Sequence, residues 1–212
     1  MNELNKISMG FTDEHFPESC HVCLIYESEE QRQKIVSEYI ANGLKRGEVV
    51  RYFTDKTSPD TVRSWLKENG VEISEVEEKG DLGFAKAENA YCPDGKFDPK
   101  AMIDRSLNRY EMSRNAGYKG SRACGEMSWA LKGIPGSERI LEYEVLLNTV
   151  NSTFPHSGMC QYDVRLFDGA TLFKVLQVHP YIIANGQIVQ NPYYKKLEEV
   201  MEEKELDKSD NA

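Results

Sequence analysis

The stretch from Cys124 to Leu131, Cys-Gly-Glu-Met-Ser-Trp-Ala-Leu, combines several side chains that can bind a ligand. Its first residues are typical of a short buried strand. The strand ends in a turn that offers a carboxylate, a thioether, a hydroxyl and an indole. Because ligands of open α/β sheets bind in the crevice at the carboxyl ends of the strands, the stretch predicts a ligand site. The alternative interpretation is that Glu126 caps a local backbone amide and Trp129 fills the core.

The predicted site extends to the ends of neighbouring strands and to a loop rich in turn residues at 88–99. Glu126 and Asp163 are expected to orient the ligand among aromatic walls, and Tyr91 to close over it as a lid. A few polar groups among aromatic rings and sulfur suit a small, weakly polar ligand. The ten predicted ligand-binding residues are Tyr26, Glu27, Tyr91, Glu126, Met127, Ser128, Trp129, Gln161, Tyr162 and Asp163.

An enzyme is the second hypothesis. Glu126, Asp163 and His179 could form a general acid/base group, with Cys160 as a nucleophile. The sequence contains no G-x-S-x-G, no H-E-x-x-H and no closely spaced cluster of histidine and cysteine, however. We therefore assign no catalytic residue and predict a protein without enzymatic activity.

A metal site is a further alternative. His21 and Cys23 would lie on the same face of one strand. Together with Cys124, Cys160 or His179 they could hold a soft metal ion. Cysteines in strands serve more often as small packing residues, so we predict no metal and no cofactor. The five cysteines are expected to be reduced and mostly buried.

Strands and helices alternate along the chain, and this order positions the candidate residues. Asn185-Gly186, between two runs rich in β-formers, predicts a terminal hairpin. Alternation of this kind predicts an α/β three-layer sandwich with a mainly parallel sheet and an antiparallel hairpin at one edge. The five preceding runs predicted to form strands are 21–26, 49–53, 81–85, 121–125 and 158–163.

The turn after the first predicted strand lacks a phosphate-binding loop. In a P-loop, glycines between the strand and the helix let backbone amides surround the phosphates. Residues 26–34 contain no glycine, and they carry three carboxylates that would repel a triphosphate. This excludes a P-loop ATPase and leaves a degenerate nucleotide-binding scaffold as the third hypothesis. Arg32 and Lys34 are interpreted as part of a solvated helix face.

Length and charge limit the remaining classes of function. The 212 residues suffice for one α/β domain, and a formal charge of −9 without a basic cluster argues against direct nucleic-acid binding. No apolar run reaches the length of a membrane span, and the N-terminus lacks a signal-peptide pattern, so we expect a cytoplasmic protein. The expected organisation is a loose lead-in at 1–18, one domain at 19–195 and a charged tail at 196–212. Self-association through the edge of the terminal hairpin is an additional hypothesis.

Seven short motifs are spread along the chain. They are H-V-C-L-I-Y-E at 21–27, G-L-K-R-G-E at 43–48, P-D-G-K-F-D-P at 93–99, G-E-M-S-W-A-L at 125–131, P-G-S-E-R at 135–139, C-Q-Y-D at 160–163, and H-P at 179–180 with N-P-Y-Y at 191–194. Together they resemble a known family, the methanogen/methylotroph sensory domain called MEDS. The resemblance covers roughly residues 19–195, and the motifs stand in the family's order.

The resemblance implies a sensory module for hydrocarbon derivatives or related one-carbon compounds. It also implies a RecA/KaiC-like layout from which the phosphate loop has been lost. Members of this family occur alone or joined to histidine-kinase or DNA-binding parts. The implied function is small-molecule sensing, with the signal passed through a histidine kinase, a transcription regulator or an oligomer.

Overall fold

A computed structural model describes residues 5–151, 154–184, 186–196 and 199–200. The strands are β1 Lys6–Ser8, β2 His15–Pro17, β3 His21–Tyr26, β4 Val49–Thr54, β5 Leu82–Lys86, β6 Ser121–Glu126, β7 His156–Asp163, β8 Tyr181–Ala184 and β9 Gln187–Gln190. The α-helices are α1 Glu29–Lys45, α2 Pro59–Glu68, α3 Ile73–Glu78, α4 Ala87–Tyr91, α5 Pro99–Asn115, α6 Ile140–Asn151 and α7 Gly169–Gln177. Two 3₁₀ helices, Met127–Lys132 and Ser137–Arg139, lie between β6 and α6.

Seven strands form one sheet in the order β5-β4-β6-β7-β3-β8-β9. The pairs are parallel except for β8 with β9, which form an antiparallel hairpin. The predicted α/β fold and the terminal hairpin are therefore confirmed. In the hairpin turn Asn185 lies outside the described residues, whereas Gly186 adopts a φ of 76°, which is the left-handed conformation that glycine tolerates without strain.

Helices cover both faces of the sheet, because side chains along each strand point alternately to opposite faces. On one face Val22 and Leu24 of β3 pack in the same core cluster as residues of α1 and α2. On the other face Cys23 packs in a second cluster with residues of α5, α6 and α7. We call these the α1 face and the α6 face. Every strand end thus presents side chains to two separate layers.

Side-chain caps begin four of the helices. Ser28 accepts a hydrogen bond from the amide of Gln31 at 3.3 Å, and Asp168 accepts one from Thr171 at 2.7 Å. Ser58 and Asp98 cap α2 and α5 in the same way. Each cap satisfies an amide that has no partner inside its helix.

Two local predictions need correction. The lead-in is not loose, because β1 and β2 form an antiparallel ribbon whose Ile7 and Phe16 are buried in the core. The 88–99 loop begins inside α4, whose last residue is Tyr91. Nearly all of the predicted charged tail at 196–212 lies outside the described residues. Among the described helices, none is long and apolar enough to cross a bilayer.

Candidate functional site

The strand ends on the α1 face are joined by a buried polar network around Arg32. Its guanidinium is 2% exposed, and Nη2 lies 3.0 Å from Oε1 of Glu126. Arg32 also donates hydrogen bonds to Oε1 of Gln161 at 2.8 Å and to the hydroxyl of Tyr52 at 2.8 Å. The interpretation of Arg32 as part of a solvated helix face is therefore wrong, whereas Lys34 is exposed.

The other carboxylate oxygen of Glu126 binds the loop between β4 and α2. Oε2 accepts hydrogen bonds from the backbone amides of Asp55 at 3.1 Å, Lys56 at 2.6 Å and Thr57 at 3.1 Å. Three consecutive amides of this kind form an anion-binding nest. Because a carboxylate of the protein itself occupies the nest, and Arg32 balances its charge, this part of the crevice is filled from within.

The remaining predicted residues near this crevice are also engaged or solvated. Arg32 lies over the ring of Tyr26, 5.0 Å from its centroid, and burial, partly offset by Arg32, raises the pKa of Tyr26 to about 12. Asp163 binds Arg165 through both oxygens at 2.7 Å, and these hydrogen bonds lower the pKa of Asp163. Ser128 donates to Oδ2 of Asp55 at 2.6 Å. Glu27 is exposed.

The other predicted residues lie on the α6 face. Tyr91 stacks on Trp129 with ring centroids 4.8 Å apart, and both side chains are at most 2% exposed. Tyr91 is therefore a core residue and not a mobile lid. Met127 and Tyr162 are buried in the same cluster. The ten residues are divided between the two faces of the sheet and do not line one pocket.

The proposed acid/base group is divided in the same way. Glu126 and Asp163 lie on the α1 face, whereas His179 lies near β3 and β7 on the α6 face, with its ring centroid 4.3 Å from that of His21. The metal alternative needs a similar correction, because Cys124 packs in the α1-face cluster. His21, Cys160 and His179 do converge on the α6 face. They converge around a fourth residue that sequence reasoning missed, Glu144 of α6.

A cavity of about 370 Å³ lies on the α6 face, between α5, α6 and the strands β4, β6 and β7. Its size lies within the range of small-molecule sites. Phe53, Tyr143 and Leu147 line the cavity with apolar surface, and Cys160 of β7 also forms part of the lining. None of the ten predicted site residues except Tyr91 contributes to this cavity.

Two arginines that sequence reasoning missed give the cavity its charge. Arg51 donates to the backbone carbonyls of Val50 and Gly80, and Arg109 donates to the hydroxyl of Ser106 at 3.0 Å. Among the described residues, no carboxylate lies within ion-pair distance of either guanidinium. Burial lowers the pKa of both arginines, and the Arg51 charge further lowers that of Arg109. The cavity is therefore a positively charged site inside an acidic protein.

The chain also resembles known proteins in its sequence. Residues 20–180 match the family described as the methanogen/methylotroph, DcmR sensory domain, MEDS. The chain belongs to the MEDS family. This MEDS domain is 28% identical over 162 residues to the transcriptional repressor DcmR of Methylorubrum extorquens, which covers 75% of this chain and 57% of the repressor. The chain thus spans little more than half of that relative, and the likeness supports a sensory or regulatory role.

Solved structures confirm the fold of this MEDS domain. A KaiC-like protein of Pyrococcus horikoshii has a TM-score of 0.59 at 15% identity, over 84% of this chain and 79% of that one. A second P. horikoshii protein, uncharacterized and in complex with an unknown peptide, has a TM-score of 0.58 at 14% identity, over 80% of this chain and 81% of that one. At these identities the likeness concerns the fold alone. The RecA/KaiC-like layout predicted from the sequence is confirmed.

Proposed function

We propose that this MEDS domain is a non-enzymatic sensor that binds a small organic ligand in the cavity beneath α5. The observation that carries the proposal is the pair of arginines, Arg51 and Arg109, which face an otherwise largely apolar cavity without a carboxylate partner among the described residues. The crevice at the strand ends is a weaker candidate, because Arg32 and Glu126 fill it with their own ion pair.

The ligand class follows from the walls and from the charge. Guanidinium groups pair with carboxylate, sulfonate and phosphonate oxygens through parallel hydrogen bonds. Phe53, Tyr143 and Leu147 offer apolar surface for a short hydrocarbon portion. We therefore propose a one-carbon or short hydrocarbon derivative that carries an anionic or strongly electron-rich group. The local positive charge attracts such a ligand although the whole protein is acidic.

Helix α5 is the element that would report binding. Only three of its 17 residues are buried, and one of them, Met102, lines the cavity. A helix with so few packed side chains has low local stability. A ligand beneath it adds contacts that the free protein lacks, so binding favours one position of the helix. Its outer face, where Asp104, Asn108 and Glu111 are exposed, then offers the signal to a partner.

The output is proposed to pass through a transcription regulator, a histidine kinase or a second copy of the chain. The relative DcmR is a transcriptional repressor, and this chain matches only its MEDS-containing part. A ligand-dependent change in such a partner is consistent with a domain that senses but does not catalyse.

A thermal-shift screen with a matched variant tests the proposal. The panel contains formate, acetate, methanesulfonate, methylphosphonate, methanol, methylamine and dichloromethane, with ATP and GTP for the nucleotide hypothesis. A ligand at 100 times its dissociation constant adds about 2.7 kcal/mol of stability. Arg139→Met is the control, because the guanidinium of Arg139 pairs with Glu142 on the surface. We expect an organic anion to stabilise wild type and Arg139→Met, but not Arg109→Met. Equal stabilisation of all three proteins would contradict a site beneath α5.

A further inference from the structure

We propose that His21, Glu144, Cys160 and His179 form a binding site for one divalent metal ion of the zinc type. The four residues come from β3, α6, β7 and the segment that follows α7. All four are buried on the α6 face, and their ligand atoms lie within 4.8 Å of one another. We call this group the buried cluster. The proposal does not depend on ligand binding beneath α5.

Hydrogen bonds outside the buried cluster orient both imidazoles. Nδ1 of His179 donates to the backbone carbonyl of Val175 at 2.8 Å. Nδ1 of His21 lies 2.8 Å from Oδ1 of Asn148. The amide nitrogen of Asn148 donates to the carbonyl of Val178 at 2.7 Å, which fixes the Asn148 oxygen towards His21. Because each Nδ1 carries its hydrogen towards an acceptor, each Nε2 presents a lone pair to the cluster.

The groups that face one another in the buried cluster are electron-rich. Nε2 of His179 is buried, and no described residue forms a hydrogen bond with it. Glu144 receives the hydroxyl hydrogen of Tyr162 on Oε1 at 2.5 Å, so Oε2 is directed to the cluster. The Cys160 thiol can donate a hydrogen bond to Oε2 of Glu144, but Nε2 of His179 is left without a donor among the described residues. A cation between the four groups would satisfy all of them, and unsatisfied buried polar groups are costly.

The separations agree with a tetrahedron of ligands. Zinc binds nitrogen, oxygen and sulfur at ~2.0–2.3 Å, which places ligand atoms about 3.3–3.6 Å apart. Oε2 of Glu144 lies 3.2 Å from Nε2 of His21, 3.5 Å from Nε2 of His179 and 3.4 Å from Sγ of Cys160. Nε2 of His21 lies 3.4 Å from Sγ of Cys160. Four of the six edges therefore already have lengths suited to zinc.

Ligand chemistry and charge select the metal. One soft thiolate and two borderline imidazoles among the four donors suit Zn²⁺ better than Mg²⁺ or Ca²⁺, which prefer oxygen ligands throughout. A Cys160 thiolate and the Glu144 carboxylate would balance the double positive charge, so the occupied site is neutral. Neutrality matters because the four side chains are at most 4% exposed. The site would tie α6 and the segment after α7 to the sheet.

Metal analysis of the full chain is the first test. We expect about one Zn²⁺ per chain after purification with zinc present, and a lower thermal midpoint after removal with a strong chelator. Cobalt substitution then reads the ligand set directly, because tetrahedral Co²⁺ shows intense d–d bands and a thiolate ligand adds a charge-transfer band. If the wild-type protein binds no stoichiometric metal, or if its cobalt form has an octahedral spectrum, the proposal is wrong. The four side chains then satisfy one another by sharing protons.

Two cysteine variants provide a matched comparison. Cys160→Ser is expected to lose the charge-transfer band, whereas Cys124→Ser, a buried cysteine on the other face of the sheet, keeps it. Asn148→Ala keeps every proposed ligand and removes the group that orients His21, so it should weaken Zn²⁺ binding about 10- to 100-fold in a competition with a chelator. An unchanged affinity in Asn148→Ala, or loss of the band in Cys124→Ser, would contradict the assignment.

Discussion

Glu126 and Arg32 form a buried ion pair in which Oε1 of the carboxylate lies 3.0 Å from Nη2 of the guanidinium. The pair joins the end of β6 to α1, and Oε2 of Glu126 holds the amides of residues 55–57. The same pair that fills the crevice of this RecA/KaiC-like fold therefore also fixes the loop before α2.

Removal of the Glu126 charge should destabilise the protein strongly. Glu126→Gln removes the buried carboxylate partner of Arg32 and leaves only the half-exposed carboxylate of Glu29 beside the guanidinium. Loss of one partner of a buried ion pair typically costs about 3–5 kcal/mol. Urea unfolding of the variant should show this loss in the free energy of unfolding. Glu78→Gln is the control, because Glu78 is exposed and its change should stay within about 0.5 kcal/mol. A loss below about 1 kcal/mol in Glu126→Gln would contradict the role of the pair.

The turn after the 3₁₀ helix should tolerate alanine at one glycine but not at the other. Gly133 and Gly136 both adopt positive φ, of 69° and 88°. A Cβ at Gly133 would meet open space, whereas one at Gly136 would overlap the backbone carbonyl of Phe97. We expect Gly133→Ala to cost about 1–2 kcal/mol and Gly136→Ala clearly more, as measured by chemical denaturation. Equal losses of stability in the two variants would contradict this prediction and show that the backbone of Phe97 moves away from the added Cβ at little cost.

Two arginines should respond in opposite ways to replacement by methionine. Arg122 is buried and bonded to Glu48, to Asn42 and to two backbone carbonyls, so Arg122→Met should lose about 3–5 kcal/mol. Arg109 has no carboxylate partner among the described residues, and burial lowers its pKa. Arg109→Met should therefore unfold at an equal or higher denaturant concentration than wild type. A large loss of stability would indicate that Arg109 serves the fold and not a ligand.

The stability of the protein should fall in acid partly through His156. Burial, with contributions from Arg109 and His21, lowers the pKa of His156 from 6.5 to about 4. Between these values the unfolded chain binds a proton that the native protein does not bind. The free energy of unfolding therefore has its full value with respect to His156 above about pH 6.5. It decreases as the pH falls from 6.5 towards 4. The free energy of unfolding of His156→Gln should depend less on pH over this range. Parallel pH profiles would contradict the shift.

Periodicity was sufficient to predict the fold but not the contacts of single side chains. Runs such as 21–26 and 158–163 are apolar because both faces of a parallel strand are buried, so they predict strands reliably. The same double burial conceals which face a given residue serves. Alternation would have separated Gln161 from Tyr162, and it offers a signal that the prediction of one pocket did not use.

Two of the residues that sequence reasoning missed, Arg32 and Glu144, share a physical feature. Arg32 and Glu144 lie on helices among other charged or apolar residues, where a polar side chain is usually solvated. Their burial depends on partners more than a hundred positions away, such as Gln161 for Arg32 and His21 for Glu144. No local pattern encodes such pairs, so tertiary structure was required to find them.

Methyl NMR of the protein with ¹³C-labelled methionine tests most directly whether the cavity beneath α5 is the sensory site. Met102 and Met112 line the cavity, whereas Met9 and Met159 are buried in the α1-face cluster and serve as internal controls. Titration with acetate, methanesulfonate and methylphosphonate should shift the two cavity methyl signals in a saturable manner and leave those of Met9 and Met159 unchanged. Arg109→Met should abolish the shifts. Cavity signals that stay unchanged at saturating concentrations of every anion, or that respond equally in Arg109→Met, would contradict the account.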